Sequence, residues 1–75
     1  MFKIYTKDNC GWCVRAKELL KENDISYKEY NIDESIEHKM VLKALKLKTV
    51  PQIWNDDLHL GGYQQLENWF EKKIK

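Results

Sequence analysis

Seventy-five residues, 43% of them hydrophobic and 33% charged, suffice for one domain around one core. Thirteen Lys and Arg stand against twelve Asp and Glu, so the net charge of +1 gives no basic footprint for nucleic acid, and the spread of charges among apolar residues argues against disorder. No apolar run approaches the roughly 18 residues of a membrane span, and Met1–Tyr5 alternates apolar and polar residues rather than opening a signal peptide. The expectation is a soluble, cytoplasmic, single-domain protein over 1–75.

Phe2–Thr6 reads as a strand, with Phe2, Ile4 and Thr6 on one side and Lys3 and Tyr5 on the other. Lys7–Asn9 breaks the pattern. A helix follows from about Gly11 to Asn23, with Ala16, Leu19 and Leu20 as its apolar stripe and Arg15, Lys17, Glu18, Lys21 and Glu22 as its solvated face. A second strand covers about Ser26–Ile32, where Tyr30 is a sheet residue like Tyr5. After the Asp33–Ser35 loop, Ile36, Met40, Val41, Ala44 and Leu45 recur at helical spacing and predict a helix over Ile36–Leu45 with that stripe in the core. Thr49–Pro51 opens a third strand, Gln52–Trp54. Asn55–Asp57 is a turn, and Leu58–Leu60 returns to form a hairpin. Gly61–Gly62 marks a bend before the last helix, about Gln64–Lys73, with Leu66, Trp69, Phe70 and Ile74 on its apolar face. The order is β-α-β-α-β-β-α, and the first two strands should be parallel through a right-handed crossover. His38 and His59 lack zinc-finger spacing and are expected at the surface.

The chemistry lies in Cys10-Gly11-Trp12-Cys13. A disulfide closing so short a loop constrains the unfolded chain little, so the pair is better explained by reactivity than by stability. Cys-x-x-Cys between a strand and a helix is a redox pattern. Two intervening residues let both sulfurs meet within one helical turn. Cys10 falls where unpaired backbone N–H groups and the helix dipole favour an anion. Such settings lower a thiol from about 8.5 into a range of roughly 3.5 to 7.5. Cys13, one turn inward, is placed to act as the resolving thiol. Lys7 is either a further positive charge beside the thiolate or a solvated loop lysine.

Tyr5-Thr6-Lys7-Asp8-Asn9-Cys10-Gly11-Trp12-Cys13, followed by Arg15-Ala16-Lys17, resembles the active-site segment of the glutaredoxin family. Ile32-Asp33, Thr49-Val50-Pro51-Gln52-Ile53, and Gly61-Gly62-Tyr63 with Leu66 are similar to three further family elements in the same order, and the resemblance spans nearly the whole chain. It implies an α/β, thioredoxin-like (glutaredoxin) fold with a four-stranded mixed sheet flanked by three helices. It also implies a glutathione-dependent thiol–disulfide oxidoreductase: Cys10 forms a mixed disulfide with a protein disulfide or a glutathionylated protein, and Cys13 or free glutathione releases it. Family potentials of about −200 to −230 mV let glutathione recycle such an enzyme. The implied glutathione site comprises Lys7, Trp12, Lys48, Thr49, Val50, Pro51, Tyr63, Gln64 and Gln65. Pro51 would be cis, with the Val50 backbone pairing with extended glutathione. The N–H groups at Gln64 and Gln65 would take the γ-glutamyl carboxylate, and Lys7 and Lys48 the other carboxylate, although Lys48 reads equally as a solvated residue.

Two departures qualify the resemblance. Gly11-Trp12 stands where most dithiol members carry Pro-Tyr; glycine loosens the helix start. Members with a small residue there can hold a [2Fe–2S] cluster between two subunits, through the counterpart of Cys10 and added glutathione. Gln64-Gln65 replaces a usual acidic residue, which should weaken the grip on the glutathione amine. The expected partners are glutathione and disulfide-containing or glutathionylated proteins, with ribonucleotide reductase a family example; a monomer is expected, with no metal bound outside the cluster case. The rival functions are an iron–sulfur carrier and a thioredoxin-like donor recycled by a flavoprotein reductase.

Overall fold

The computed structural model describes residues 1–74, with side chains through Lys72. The elements are β1 (Phe2–Thr6), α1 (Gly11–Glu22), β2 (Tyr27–Asn31), α2 (Ile36–Ala44), β3 (Gln52–Asn55), β4 (Leu58–Gly61) and α3 (Tyr63–Ile74). The sheet has four strands in the order β2-β1-β3-β4. β1 and β2 are parallel, as the crossover rule requires, with Tyr5 opposite Tyr30. β3 runs antiparallel to both β1 and β4, and a register shift lies between Ile53 and Trp54.

Alternation along β1 sets the two faces. Phe2, Ile4 and Thr6 are buried on one, where Phe2 and Ile4 with Ile53 meet Ala16 and Leu20 of α1 and Leu66 and Phe70 of α3. Ile4, Ala16, Leu20, Ile53 and Leu66 are fully buried, which makes this side the hydrophobic core. The α3 stripe therefore packs as its spacing predicts at Leu66 and Phe70; the Ile74 side chain lies outside the described residues. The other face carries an aromatic row. Tyr30 stacks on Tyr5 at 5.1 Å, Trp54 meets Tyr5 edge-on at 5.5 Å, and His59 stacks on Trp54 at 4.4 Å. Burial, together with the neighbouring Tyr30, pushes the Tyr5 phenol above its usual value.

α2 covers this second face, but not with the stripe expected of it. Leu42 is its buried residue, and His38 packs edge-on against Tyr30 at 4.9 Å. Ile36, Met40, Val41 and Leu45 are all exposed. The aromatic rings already fill the sheet surface, and the short helix meets them along the His38–Leu42 line. His38 is accordingly half-buried rather than at the surface.

Both crossover helices stop in the same way. Asp24 (φ +57°) and Lys46 (φ +60°) adopt the left-handed conformation. The N–H of Ile25 bonds to Leu20 O at 2.9 Å and that of Leu47 to Leu42 O at 2.9 Å, while Asp24 and Lys46 N–H bond to Lys21 O and Lys43 O. These are Schellman closures, in which the residue after the cap is usually glycine.

Candidate active site

Cys10 stands between β1 and α1 as the N-cap residue of α1, in extended conformation. Its Sγ accepts the Cys13 N–H at 3.1 Å, the bond that a Ser or Asp side chain usually makes at this position. No acidic residue lies in the first turn of α1, so no carboxylate of the helix itself offsets its positive end at this sulfur. Cys10 and Cys13 are joined as a disulfide, with Cα atoms 5.2 Å apart. The two sulfurs differ in access: Cys10 is partly exposed, whereas Cys13 is 2% exposed on the core side of α1. Gly11 has nothing near the place a Cβ would take, so the helix start is open.

The loop before Cys10 is tied to the end of β2. Asn31 Nδ2 donates to Asp8 Oδ1 at 3.0 Å, and the N–H groups of Asp8 and Asp33 donate to Asp33 Oδ2 and Asn31 Oδ1. Asn9 takes φ +53°, which Asn tolerates, and turns the chain into the helix. Beneath α1, the buried Thr6 hydroxyl donates to Glu29 Oε2 at 2.7 Å, and Lys17 pairs with the same oxygen at 3.0 Å. Burial alone would raise the Glu29 carboxyl; the Thr6 and Lys17 hydrogen bonds and the Lys17 charge outweigh it and hold the carboxyl below its usual value. Lys17 is thus part of a cross-element pair rather than only of a solvated face.

Opposite Cys10 lies the Thr49–Pro51 segment, with a cis Val50–Pro51 bond. Val50 O is 4.0 Å from Cys10 Sγ. The Val50 N–H makes no hydrogen bond among the described residues. Gln52 holds the segment. Its buried amide donates to Thr49 O at 3.0 Å and to Thr49 Oγ1 at 3.2 Å, while its Oε1 accepts from His59 Nε2 at 2.8 Å. Glu29 and Asn31 carry no signal in the sequence because their partners lie 12 to 23 residues away; the Gln52 partners are closer, but a glutamine in a short strand looks like any polar strand residue.

Two depressions meet at Thr49 and Val50. One, of about 330 Å³, is bordered by Trp12, Thr49, Val50 and Pro51 on one side and by Gly62, Tyr63, Gln64 and Gln65 on the other. The Trp12 ring is 56% exposed, leans on Tyr63 at 5.3 Å, and has the Arg15 guanidinium over it at 5.1 Å. At the start of α3, Gly62 O takes the first intrahelical bond from Leu66 N–H, leaving the N–H groups of Tyr63, Gln64 and Gln65 without partners within the helix. Gln65 Oε1 accepts the Gly62 N–H at 2.9 Å, half of a capping box. Gln64 Nε2 is engaged with Glu67 and Asn68 at 3.3 Å each. Lys7 and Lys48 stand apart from this depression, on a second and larger groove that also reaches Thr49 and Val50. Among the described residues, no cluster of three or more His, Cys, Asp or Glu converges as a metal site. An iron–sulfur cluster on Cys10 would need donors from outside the chain.

Residues 2–60 match the family model described as Glutaredoxin. The chain is 40% identical over 65 residues to Glutaredoxin 3 of Escherichia coli K12, covering 85% of this chain and 78% of that one. It is 38% identical over 66 residues to Glutaredoxin 1 of Rickettsia conorii, covering 84% of this chain but 65% of that longer protein. The crystal structure of Glutaredoxin 1 from Francisella tularensis complexed with cacodylate superposes with a TM-score of 0.83 at 33% identity, covering 97% of this chain and 94% of that one. With its dithiol at the N-cap of α1 and its four-stranded mixed sheet between three helices, the chain belongs to the glutaredoxin family.

Proposed function

We propose that this protein is a glutathione-dependent thiol–disulfide oxidoreductase in which Cys10 attacks and Cys13 resolves. The observation that carries the proposal is the asymmetry of the dithiol: one sulfur caps a helix and is partly exposed, and the other belongs to a residue that is almost wholly buried. A thiolate at Cys10 keeps the Cys13 N–H and the helix dipole as stabilising partners; a thiolate at Cys13 would lack solvent.

With a protein disulfide, Cys10 S⁻ attacks one substrate sulfur and expels the other as a thiolate, which takes a proton from solvent. Cys13, deprotonated, then attacks Cys10 Sγ and expels the second substrate thiolate, leaving the Cys10–Cys13 disulfide. One glutathione thiolate opens that disulfide and a second releases glutathione disulfide, so the two electrons given to the substrate come from two glutathione thiols. With a glutathionylated protein, Cys10 takes the glutathione sulfur, expels the protein thiolate, and is freed by another glutathione without Cys13.

The unpaired Val50 N–H and its nearby carbonyl offer an extended peptide one residue of strand pairing. The free N–H groups at Tyr63, Gln64 and Gln65 suit the γ-glutamyl carboxylate. Trp12, packed on Tyr63, forms one wall of the depression that takes the glutathione backbone, and Lys7 and Lys48 attract the remaining carboxylate from the adjoining groove.

The test is a glutathione-coupled assay on a small glutathione mixed disulfide and on a protein disulfide. Cys10→Ser is expected to lose both activities. Cys13→Ser is expected to lose protein-disulfide reduction and keep turnover of the mixed disulfide. Equal loss in the two variants on the mixed disulfide would refute the division of roles. Turnover with thioredoxin reductase but not with glutathione and its reductase would refute the glutathione dependence.

A further inference from the structure

A groove of about 890 Å³ leads from the active site along α2. Its near end carries Lys7, Lys48, Thr49 and Val50, and so adjoins Cys10. Its far end carries Lys39, Lys43 and Lys46, at i, i+4 and i+7 along α2 and its closing turn. Five ammonium groups therefore border one groove in a chain whose net charge is +1. No Asp or Glu lines it, and none of the five lysines is in an ion pair among the described residues. The floor between them is apolar, formed by Ile32, Leu42 and Leu47. The arrangement has local costs, offset in part by the favourable place of Lys43 in the last turn of α2. Like charges at i, i+4 weaken a helix, and Lys46 occupies a left-handed position that suits glycine.

We infer that the groove docks an extended acidic segment of the substrate protein, next to the cysteine that Cys10 attacks. The inference rests on the oxidoreductase function proposed above. A backbone paired at Val50 is already extended and enters the groove beside it. Its Asp and Glu side chains meet the lysines, and its aliphatic side chains meet the apolar floor. Glutathione, with two carboxylates, is too short to engage five lysines spread from Lys7 to the end of α2. A nucleic acid would call for a broad basic surface, which a chain of this net charge does not offer.

Two short synthetic peptides test this. Each carries two cysteines joined as an intrachain disulfide, so that Cys10 attacks a sulfur of the peptide itself, flanked in one by Glu and Leu and in the other by Gln and Leu. The wild type is expected to favour the acidic peptide by about tenfold in kcat/KM, from several exposed charge contacts of modest size each, and salt should erode the preference. Replacing Lys39, Lys43 and Lys46 together by Gln should abolish it while leaving turnover of a small glutathione mixed disulfide unchanged. Lys46→Gly alone should raise the melting temperature yet lower the preference, a split that a purely structural role would not produce. Equal turnover of the two peptides by the wild type, or an undiminished preference in the triple variant, would overturn the inference. So would a single-stranded oligonucleotide that inhibits at lower concentration than a cysteine-free acidic peptide. If the wild type fails on the small mixed disulfide, that failure falls on the proposed function. Fluorescence anisotropy of the labelled cysteine-free acidic peptide with the oxidised protein then decides the groove: binding about tenfold weaker in the triple variant supports it, and equal binding overturns it.

Discussion

At Cys10, one backbone N–H stabilises both the helix and the sulfur that caps it. The same economy is missing at Gln64, whose side chain is occupied with Glu67 and Asn68 and brings no negative charge to the depression beside it. Gln64→Asp is therefore expected to lower the KM for glutathione severalfold by supplying a partner for its amine, with kcat little changed, as read in the coupled assay. Glu29 makes a prediction about acid stability. Its carboxyl is held below the usual 4.5, despite burial, by Thr6 and Lys17. A group depressed in the folded state contributes stability that is fully present above its unfolded value and is lost as pH falls through the folded one. Urea midpoints measured downward from about pH 5 should fall for the wild type, and less steeply for Glu29→Gln.

Among the elements, the β4–α3 junction depends most on a single residue. Gly61 has φ +117°, and a Cβ there would meet Gln65 Cγ at 3.0 Å. Gly61→Ala should destabilise the fold by about 1–3 kcal/mol in urea titration and disturb the Gln65 cap beside the site. Gly62→Ala, whose Cβ would make only ordinary contacts at 3.5 Å, should cost less. α2 shows the limit of periodicity. Its apolar residues recur at helical spacing, but so do Lys39, Lys43 and Lys46, and Leu42 with His38. Which arc faces inward depended on the rings of Tyr5 and Tyr30 already occupying the sheet.

For the whole molecule, one small core on the α1–α3 side of the sheet carries much of the stability. A domain of this length has roughly 4 to 11 kcal/mol in total. Leu66→Ala, which empties a fully buried site between α3 and the sheet, should cost about 2–5 kcal/mol. Circular dichroism with urea titration should find this variant close to the edge of folding, with a midpoint far below that of the wild type. The active site lies at one end of the same sheet, assembled from the loop after β1, the segment before β3 and the start of α3.

Element order, the strand faces of β1, the parallel pairing of β1 and β2 and the dithiol at a helix start were all legible from the sequence, because each follows from spacing along a few neighbouring residues. The same holds for Gly61, which sits at a bend marked by paired glycines. Only the tertiary structure decided that Gln52 bridges Thr49 and His59, that Thr6 and Lys17 converge on Glu29, and that Lys7 and Lys48 share a groove with the lysines of α2 rather than the depression of Trp12 and Tyr63. The Glu29 contacts and the shared groove join segments distant along the chain, and the Gln52 bridge spans the turn into β3 and the β3–β4 hairpin. They are set by how the helices sit on a twisted sheet, and no local pattern encodes that.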